Sequence, residues 1–340
     1  MTPAFALLLQ AVRPRPDIAA IRRQAGLISD WDDVVARARE HAVEQLLLRG
    51  MHAAELPSPD LLKQAAGSKT RRSLRITGQL VRVAGALAEA GLPYLTFKGP
   101  TESLIAYRNP ALRNFRDIDL IVAPADMARA IALLQSLGFA IMPANPPHYV
   151  PSPSQVALYH REARSLIDLH ARWADIPGLF DWPFAEAFEQ RHTVQIAGTP
   201  IHTLPDVERL LFLCLHGGLH LWEKLSWVCD LAWEAATIAH DGEALERRAR
   251  RLGVSRQLSL GMALGHRLLD MPLPPGFAET VLPFGLRRLQ AEATLRLEHN
   301  LIQQPRHRIH ALICQLLLRD SHGSRLAEML YRWQRMRQRA

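Results

Sequence analysis

The chain holds 340 residues, 48% hydrophobic and 22% charged, a balance that excludes a disordered protein and allows two or three packed units around a sizeable core. Its formal net charge of +8 favours anionic partners, whether nucleotide, nucleic acid or acidic lipid, although Arg-rich helix surfaces also simply keep a protein soluble. Three cysteines without paired spacing, Cys214, Cys229 and Cys314, exclude a disulfide framework and point to a reducing compartment.

The apolar run Ala4 to Leu9 has no basic residue before it and no clear small-residue cleavage site after it, so it does not read as a secretory signal. No segment is long and apolar enough to span a bilayer, and the expected location is cytoplasmic. Residues 1–92 read as an N-terminal helical region. Helical periodicity runs from Trp31 through Leu48 behind a cap at Ser29 or Asp30, and a long helix runs from Pro59 to about Ala90, closed by Gly91 and Pro93. A small mixed α/β unit is expected at 93–175. Tyr94 to Phe97 forms a short buried strand ending in Lys98-Gly99-Pro100, where a helix starts. A strand at Asp117 to Val122 comes next, then a helix from Pro124 to Leu137 closed by Gly138. Gln155 to His160 and Ser165 to His170 alternate as an antiparallel pair.

The remainder, 176–340, reads as mostly helical. It begins with a small hairpin at Val194 to His202 and a helix from Val207 to Trp222. Further helices are expected near 225–239, 242–252, 255–270, 284–303 and 307–338, the last strongly basic. The fold class is therefore α+β, predominantly helical, with a small sheet flanked by helices on both sides in sequence.

Chemistry concentrates in the middle. Asp117 and Asp119 are two apart on a strand and so share a face, while Ile118 and Leu120 point the other way. Two carboxylates on one face repel unless a cation sits between them, and hard oxygen ligands suit Mg²⁺. Asp168 lies between Ile167 and Leu169 on an apolar strand, where an acid is costly unless paired or bound to metal; an ion pair with Arg164 or Arg172 is the alternative. The Lys98-Gly99 turn before a helix can hold phosphate, because Gly admits close backbone approach and a helix start offers free N–H groups.

Together these residues resemble the uncharacterised nucleotidyltransferase family of the DNA polymerase β-like superfamily. The resemblance rests on Lys98-Gly99, the block from Arg113 through Asp117-Ile118-Asp119 to Val122, the strand Ile167-Asp168-Leu169-His170, and the helical block Leu211 to Ala232 that contains His216-Gly217-Gly218. It implies a mixed sheet with helices, two Mg²⁺ ions for which Mn²⁺ can substitute, and transfer of a nucleoside monophosphate from an NTP, ATP foremost, to a hydroxyl. By resemblance, Asp117 and Asp119 bind both ions and Asp168 the one that activates the acceptor. The usual Gly-Ser or Gly-Gly turn is Lys98-Gly99-Pro100 here, so Thr101, Ser103 or Lys98 must supply what the missing hydroxyl would. Arg113 and Arg116 sit where they would neutralise triphosphate charge, Arg113 being preferred by the resemblance.

His216 and His220 share a helix face, but Gly217 stands where a zinc-protease motif needs Glu, so the pair is expected to face the cleft or pack beneath it. Lys224 and Asp230 are candidates to touch nucleotide or acceptor; Trp222, Trp227 and Trp233 read as core. The basic C-terminus, with Arg332, Arg335, Arg337 and Arg339, reads as a solvated face without a base-reading motif, which leaves nucleic-acid binding open. The acceptor is not legible: a small molecule, sugar or peptide fits a biosynthetic role, and tRNA or protein is not excluded. Terminal phosphoryl transfer on the same scaffold and a non-catalytic nucleotide-binding or nucleic-acid-binding protein are the alternative readings.

Overall fold

Five helices precede the first strand: α1 (Pro3–Ala11), α2 (Ile18–Ala25), α3 (Trp31–Glu40), α4 (Glu44–Ala53) and α5 (Asp60–Glu89). The computed structural model describes residues 1–142, 154–239, 241–277, 282–304 and 306–337. Side-chain oxygens of Thr2, Asp17 and Asp30 accept from the first-turn amides of α1, α2 and α3 and so fix where each begins. The helix expected from Trp31 to Leu48 is two helices. The Val43 amide donates back to the Ala38 carbonyl at 2.9 Å while Ala42 takes a left-handed φ of +57°, a Schellman closure without the usual Gly.

That break turns the His41 ring into the core. Its Nε2 lies 3.0 Å from the Leu297 carbonyl, while its Nδ1 is buried with no hydrogen-bond partner among the described residues. Burial pushes the ring's pKa from 6.5 down to about 4, because a second proton would place a charge in apolar surroundings. The unfolded chain binds that proton below pH 6.5 and the folded chain does not. Stability is therefore full above pH 6.5 and falls as pH drops toward 4, by roughly 3 kcal/mol from this group. His41→Gln, which keeps a donor for Leu297, is expected to lose less stability between pH 7 and pH 4.5 than the parent chain in urea titrations.

Among the described residues the sheet has seven strands: β1 (Tyr94–Thr96), β2 (Asp117–Val122), β3 (Ala140–Ile141), β4 (Gln155–His160), β5 (Ser165–His170), β6 (His192–Ile196) and β7 (Thr199–Thr203). Their spatial order is β3-β4-β5-β2-β1-β7-β6, with β2–β5 and β1–β7 parallel and the other neighbours antiparallel. The β4–β5 pairing is the antiparallel one expected. The hairpin, turning at Ala197-Gly198 with both φ positive, docks beside β1, so the sheet runs past the expected 93–175 unit. Between strands lie α6 (Pro100–Ile105), α7 (Met127–Ser136) and α8 (Phe184–Glu189).

Each face of the sheet has its own core. Ile118, Leu120, Val122, Ile167 and Leu169 pack with Ile76, Leu80, Val83 and Leu87 of α5 and with Ala130 and Leu134 of α7. Leu95, Phe97 and Ile121 face the opposite way into a larger cluster formed with the other helices. These include α9 (Asp206–Leu219), α10 (Leu225–Thr237), α11 (Gly242–Leu252), α12 (Ser255–Leu269), α13 (Phe284–Glu298), α14 (Arg308–Leu317) and α15 (His322–Arg337).

Three helix ends differ from expectation. Helix α9 stops at Leu219, because Leu221 and Trp222 adopt φ near +52° and fold the fully buried Trp222 ring back onto Gly217. A Cβ at Gly217 would lie 2.6 Å from that ring, so the glycine serves this contact. The helix expected at 284–303 ends at Glu298, followed by a short 3-10 turn at Leu301–Gln303. The final helix divides where Ser321 Oγ accepts from the Ser324 amide at 3.1 Å and caps α15.

Candidate active site

Alternation along β2 and β5 sets the site. Ile118, Leu120 and Val122 of β2 and Ile167 and Leu169 of β5 are taken by the α5 side, which leaves Asp117, Asp119, Asp168 and His170 on the other face. The parallel register aligns Asp119 with Asp168, so their backbones lie about 4.8 Å apart. Lys98, at the end of β1, reaches across with its Nζ 3.1 Å from Asp119 Oδ1. His170 Nε2 is buried 3.7 Å from the same oxygen, within electrostatic range but beyond hydrogen-bond reach, and makes no hydrogen bond among the described residues.

Electrostatics follow from crowding. Burial, then repulsion from Asp119, pushes Asp117 up to about 6. Burial pushes Asp119 upward too, but Lys98 and His170 outweigh it and hold that carboxyl down to about 2. Asp168 is raised by burial and by Asp119. The face therefore carries one firmly ionised carboxylate and two that ionise more readily when further positive charge arrives.

Gly99 follows Lys98 at φ +74° and ψ −129°, a conformation only Gly adopts without strain, and caps the start of α6. Thr101 and Ser103 do not reach the cleft. Both are buried, the Thr101 hydroxyl donating to the Lys98 carbonyl and the Ser103 hydroxyl to the Asn109 carbonyl. They brace the turn.

The opposite wall comes from helices. Arg39 and Glu40 of α3, His216 of α9, and Lys224 and Trp227 at the start of α10 line the cleft with Lys98, Asp117 and Asp119. His216, His220 and Trp227 form a ring cluster with centroids 4.7–5.4 Å apart, His216 meeting both partners edge-on and His220 lying tilted against Trp227. Burial, reinforced by Lys98, drives the His216 pKa well below its ordinary value, so the ring is neutral. Trp222 and Trp233 are core, and Trp227, half-buried, packs against that core while also lining the cleft.

Arg113 and Asp230 sit beside this wall but are spent on each other. Arg113 donates through Nε and Nη2 to the two Asp230 oxygens, both at 2.8 Å, and Tyr107 Oη donates to Asp230 at 2.7 Å. Arg116, one turn of chain away, is exposed at the mouth. Arg113, the arginine preferred by the resemblance, is thus held by Asp230 at the cleft wall, while Arg116 presents its side chain to solvent. At the C-terminus, Arg332 pairs with Glu328 and Arg337 stacks on Trp333, while Arg339 and the side chain of Arg335 lie outside the described residues.

The sequence profile of the uncharacterised nucleotidyltransferase family matches residues 28–270, more than half of the chain. The chain belongs to that family. Among curated proteins none matches. Two solved structures are similar to it. One is the antibiotic-resistance factor ANT(2'')-Ia, at 18% identity and a TM-score of 0.38 over 55% of this chain and 96% of that one. The other is an antigenic nucleotidyltransferase-like protein from Paracoccidioides brasiliensis, at 15% identity and 0.41 over 59% and 94%.

Members of a nucleotidyltransferase family use an NTP and divalent metal in general, and the donors here fit such an ion. Three carboxylates share one face, two of them raised by burial and then by the charge of Asp119, and a buried imidazole nitrogen beside them makes no hydrogen bond among the described residues. The carboxylates line the face without crowding onto one point; the ligand atoms that gather within 4.8 Å of one another, among the described residues, belong to Glu292, His310 and Cys314. His170 was legible in principle, being two residues past Asp168 and so on its face. Arg39 and Glu40 carried no such signal, since nothing local ties α3 to the sheet.

Proposed function

We propose that the chain transfers a nucleoside monophosphate from an NTP, ATP foremost, to a hydroxyl of an acceptor, with Asp117, Asp119 and Asp168 as the metal ligands. The observation that carries this reading is the parallel alignment of Asp119 with Asp168, two residues after Asp117, beside the Lys98-Gly99 turn. Two Mg²⁺ ions held by these carboxylates would polarise the acceptor hydroxyl and stabilise the departing pyrophosphate. The chain's own residues do the positioning. Lys98 keeps Asp119 ionised and oriented. The Gly99 backbone lets phosphate oxygens approach without a Cβ in the way, and Arg116 and Lys224 supply positive charge at the mouth. Trp227, braced by His216 and His220, offers an apolar surface for a base or an acceptor ring. No helix among the described residues is long and apolar enough to cross a membrane.

Incubation with Mg²⁺ and NTP labelled at either the α or the γ phosphate, against a panel of hydroxyl-bearing small molecules, sugars and peptides, tests the reaction type. Acceptor labelled only from the α position is the expected result. Acceptor labelled only from γ would convert the assignment to a kinase.

A further inference from the structure

A second cluster of metal-ligating groups lies outside the matched family region. Helix α13 presents Glu292, and α14 presents His310 and Cys314, which at four residues apart share one face. His310 Nε2 is 2.8 Å from Glu292 Oε2 and 3.6 Å from Cys314 Sγ, and Sγ is 3.9 Å from the same Oε2. Both partners meet the same ring nitrogen. A nucleophile–base–acid relay would need them on opposite nitrogens, so the arrangement is that of three donors around one point.

We propose that Glu292, His310 and Cys314 bind a borderline-soft divalent cation of the zinc class. Ordinary zinc bond lengths and tetrahedral angles place the donors about 3.3–3.6 Å apart, so the observed separations need changes of about half an ångström or less. Oxygen, nitrogen and sulfur together select zinc over magnesium, which takes oxygen ligands. The other Glu292 oxygen is already fixed: Arg306 Nε donates to Oε1 at 2.6 Å, while Arg306 Nη1 holds Glu223 at 2.5 Å. The bond to Oε1 aims Oε2 at the site, and the Glu223 contact steadies the guanidinium that makes it. Cys314 closes the inner end, with 1% of its surface exposed, and the half-exposed His310 leaves an open side where water would complete the shell. On binding, the Cys314 thiol releases its proton to solvent and the His310 ring carries its proton on Nδ1, leaving Nε2 to the ion. The ion would clasp α14 to α13.

The full chain, stripped with a chelator and titrated with Zn²⁺ and separately with Co²⁺, tests this. One equivalent of Zn²⁺ is expected to raise the melting temperature, and Co²⁺ to give a near-ultraviolet sulfur-to-metal band that excess Mg²⁺ does not remove. The band separates this site from the carboxylate face, which has no sulfur donor, and Cys214 and Cys229 are fully buried elsewhere. Cys314→Ser should abolish the band, and His310→Ala should weaken Zn²⁺ binding at least tenfold. His310 is half-exposed, so that variant keeps its fold and decides the matter if Cys314→Ser does not. Absence of the band in the parent chain, or Zn²⁺ affinity unchanged in His310→Ala, would overturn the proposal in favour of a plain Glu292–His310 ion pair.

Discussion

Asp119→Asn is expected to lower the rate of α-phosphate label transfer by roughly 10³-fold or more, the cost of removing a central electrostatic group from a preorganised site. The substitution is nearly isosteric, and the backbone of β2 is pinned between β1 and β5, so the fold should survive. What changes is charge. Asp119 is the carboxylate that Lys98 and His170 keep ionised, and it is the residue aligned with Asp168. Without it Lys98 loses its 3.1 Å partner and the face loses its one firmly negative oxygen. Asp117→Asn and Asp168→Asn should be slow as well. The Asp117→Asn/Asp119→Asn double variant should be little slower than Asp119→Asn alone, because groups that act as a unit are not additive. Initial rates at saturating NTP, alongside melting curves to show intact folding, are the measurement. An Asp119→Asn variant with parental rates would remove the carboxylate face from consideration.

The shared face of Asp117 and Asp119 was legible because strand alternation is local: two residues apart means the same side, whatever the rest of the chain does. The same holds for the Ala197-Gly198 hairpin and for Gly91 closing α5. What required the structure was every non-local pairing. Nothing in β5 says that it runs parallel to β2 in the register that aligns Asp168 with Asp119, and nothing in β7 says that it lies against β1. The partner of Arg113 was hidden for a related reason. The arginine's place just before the metal-bearing strand suggested phosphate, but its partner, Asp230, is 117 residues away on α10. The break after α3 was hidden differently. Ala42 adopts a left-handed conformation that Gly or Asn would have advertised, and tertiary contacts of His41 with Ser226 and Leu297 hold it there.

Asp230→Ala is expected to destabilise the folded chain by about 3–5 kcal/mol, the usual cost of removing one partner from a buried ion pair. Arg113 and Asp230 are only 10% and 3% exposed, and the fork of the guanidinium matches both carboxylate oxygens. Truncation leaves a guanidinium inside the protein without its hydrogen-bonded counter-charge and also strips the Tyr107 hydroxyl of its acceptor. Asp230→Asn, which keeps one acceptor for Tyr107 or Arg113, should cost less. Removing both charges in Arg113→Ala/Asp230→Ala should recover part of the loss, since no unpaired charge remains buried. Urea unfolding of the three variants measures all of this on one scale. A nucleotide contact by Asp230 predicts the opposite pattern: unchanged unfolding midpoints with a raised KM for NTP. Because the pair ties the loop before β2 to α10, which carries Trp227 at one wall of the cleft, its loss should also loosen the site. Activity should then fall in proportion to the folded fraction and recover as the temperature is lowered.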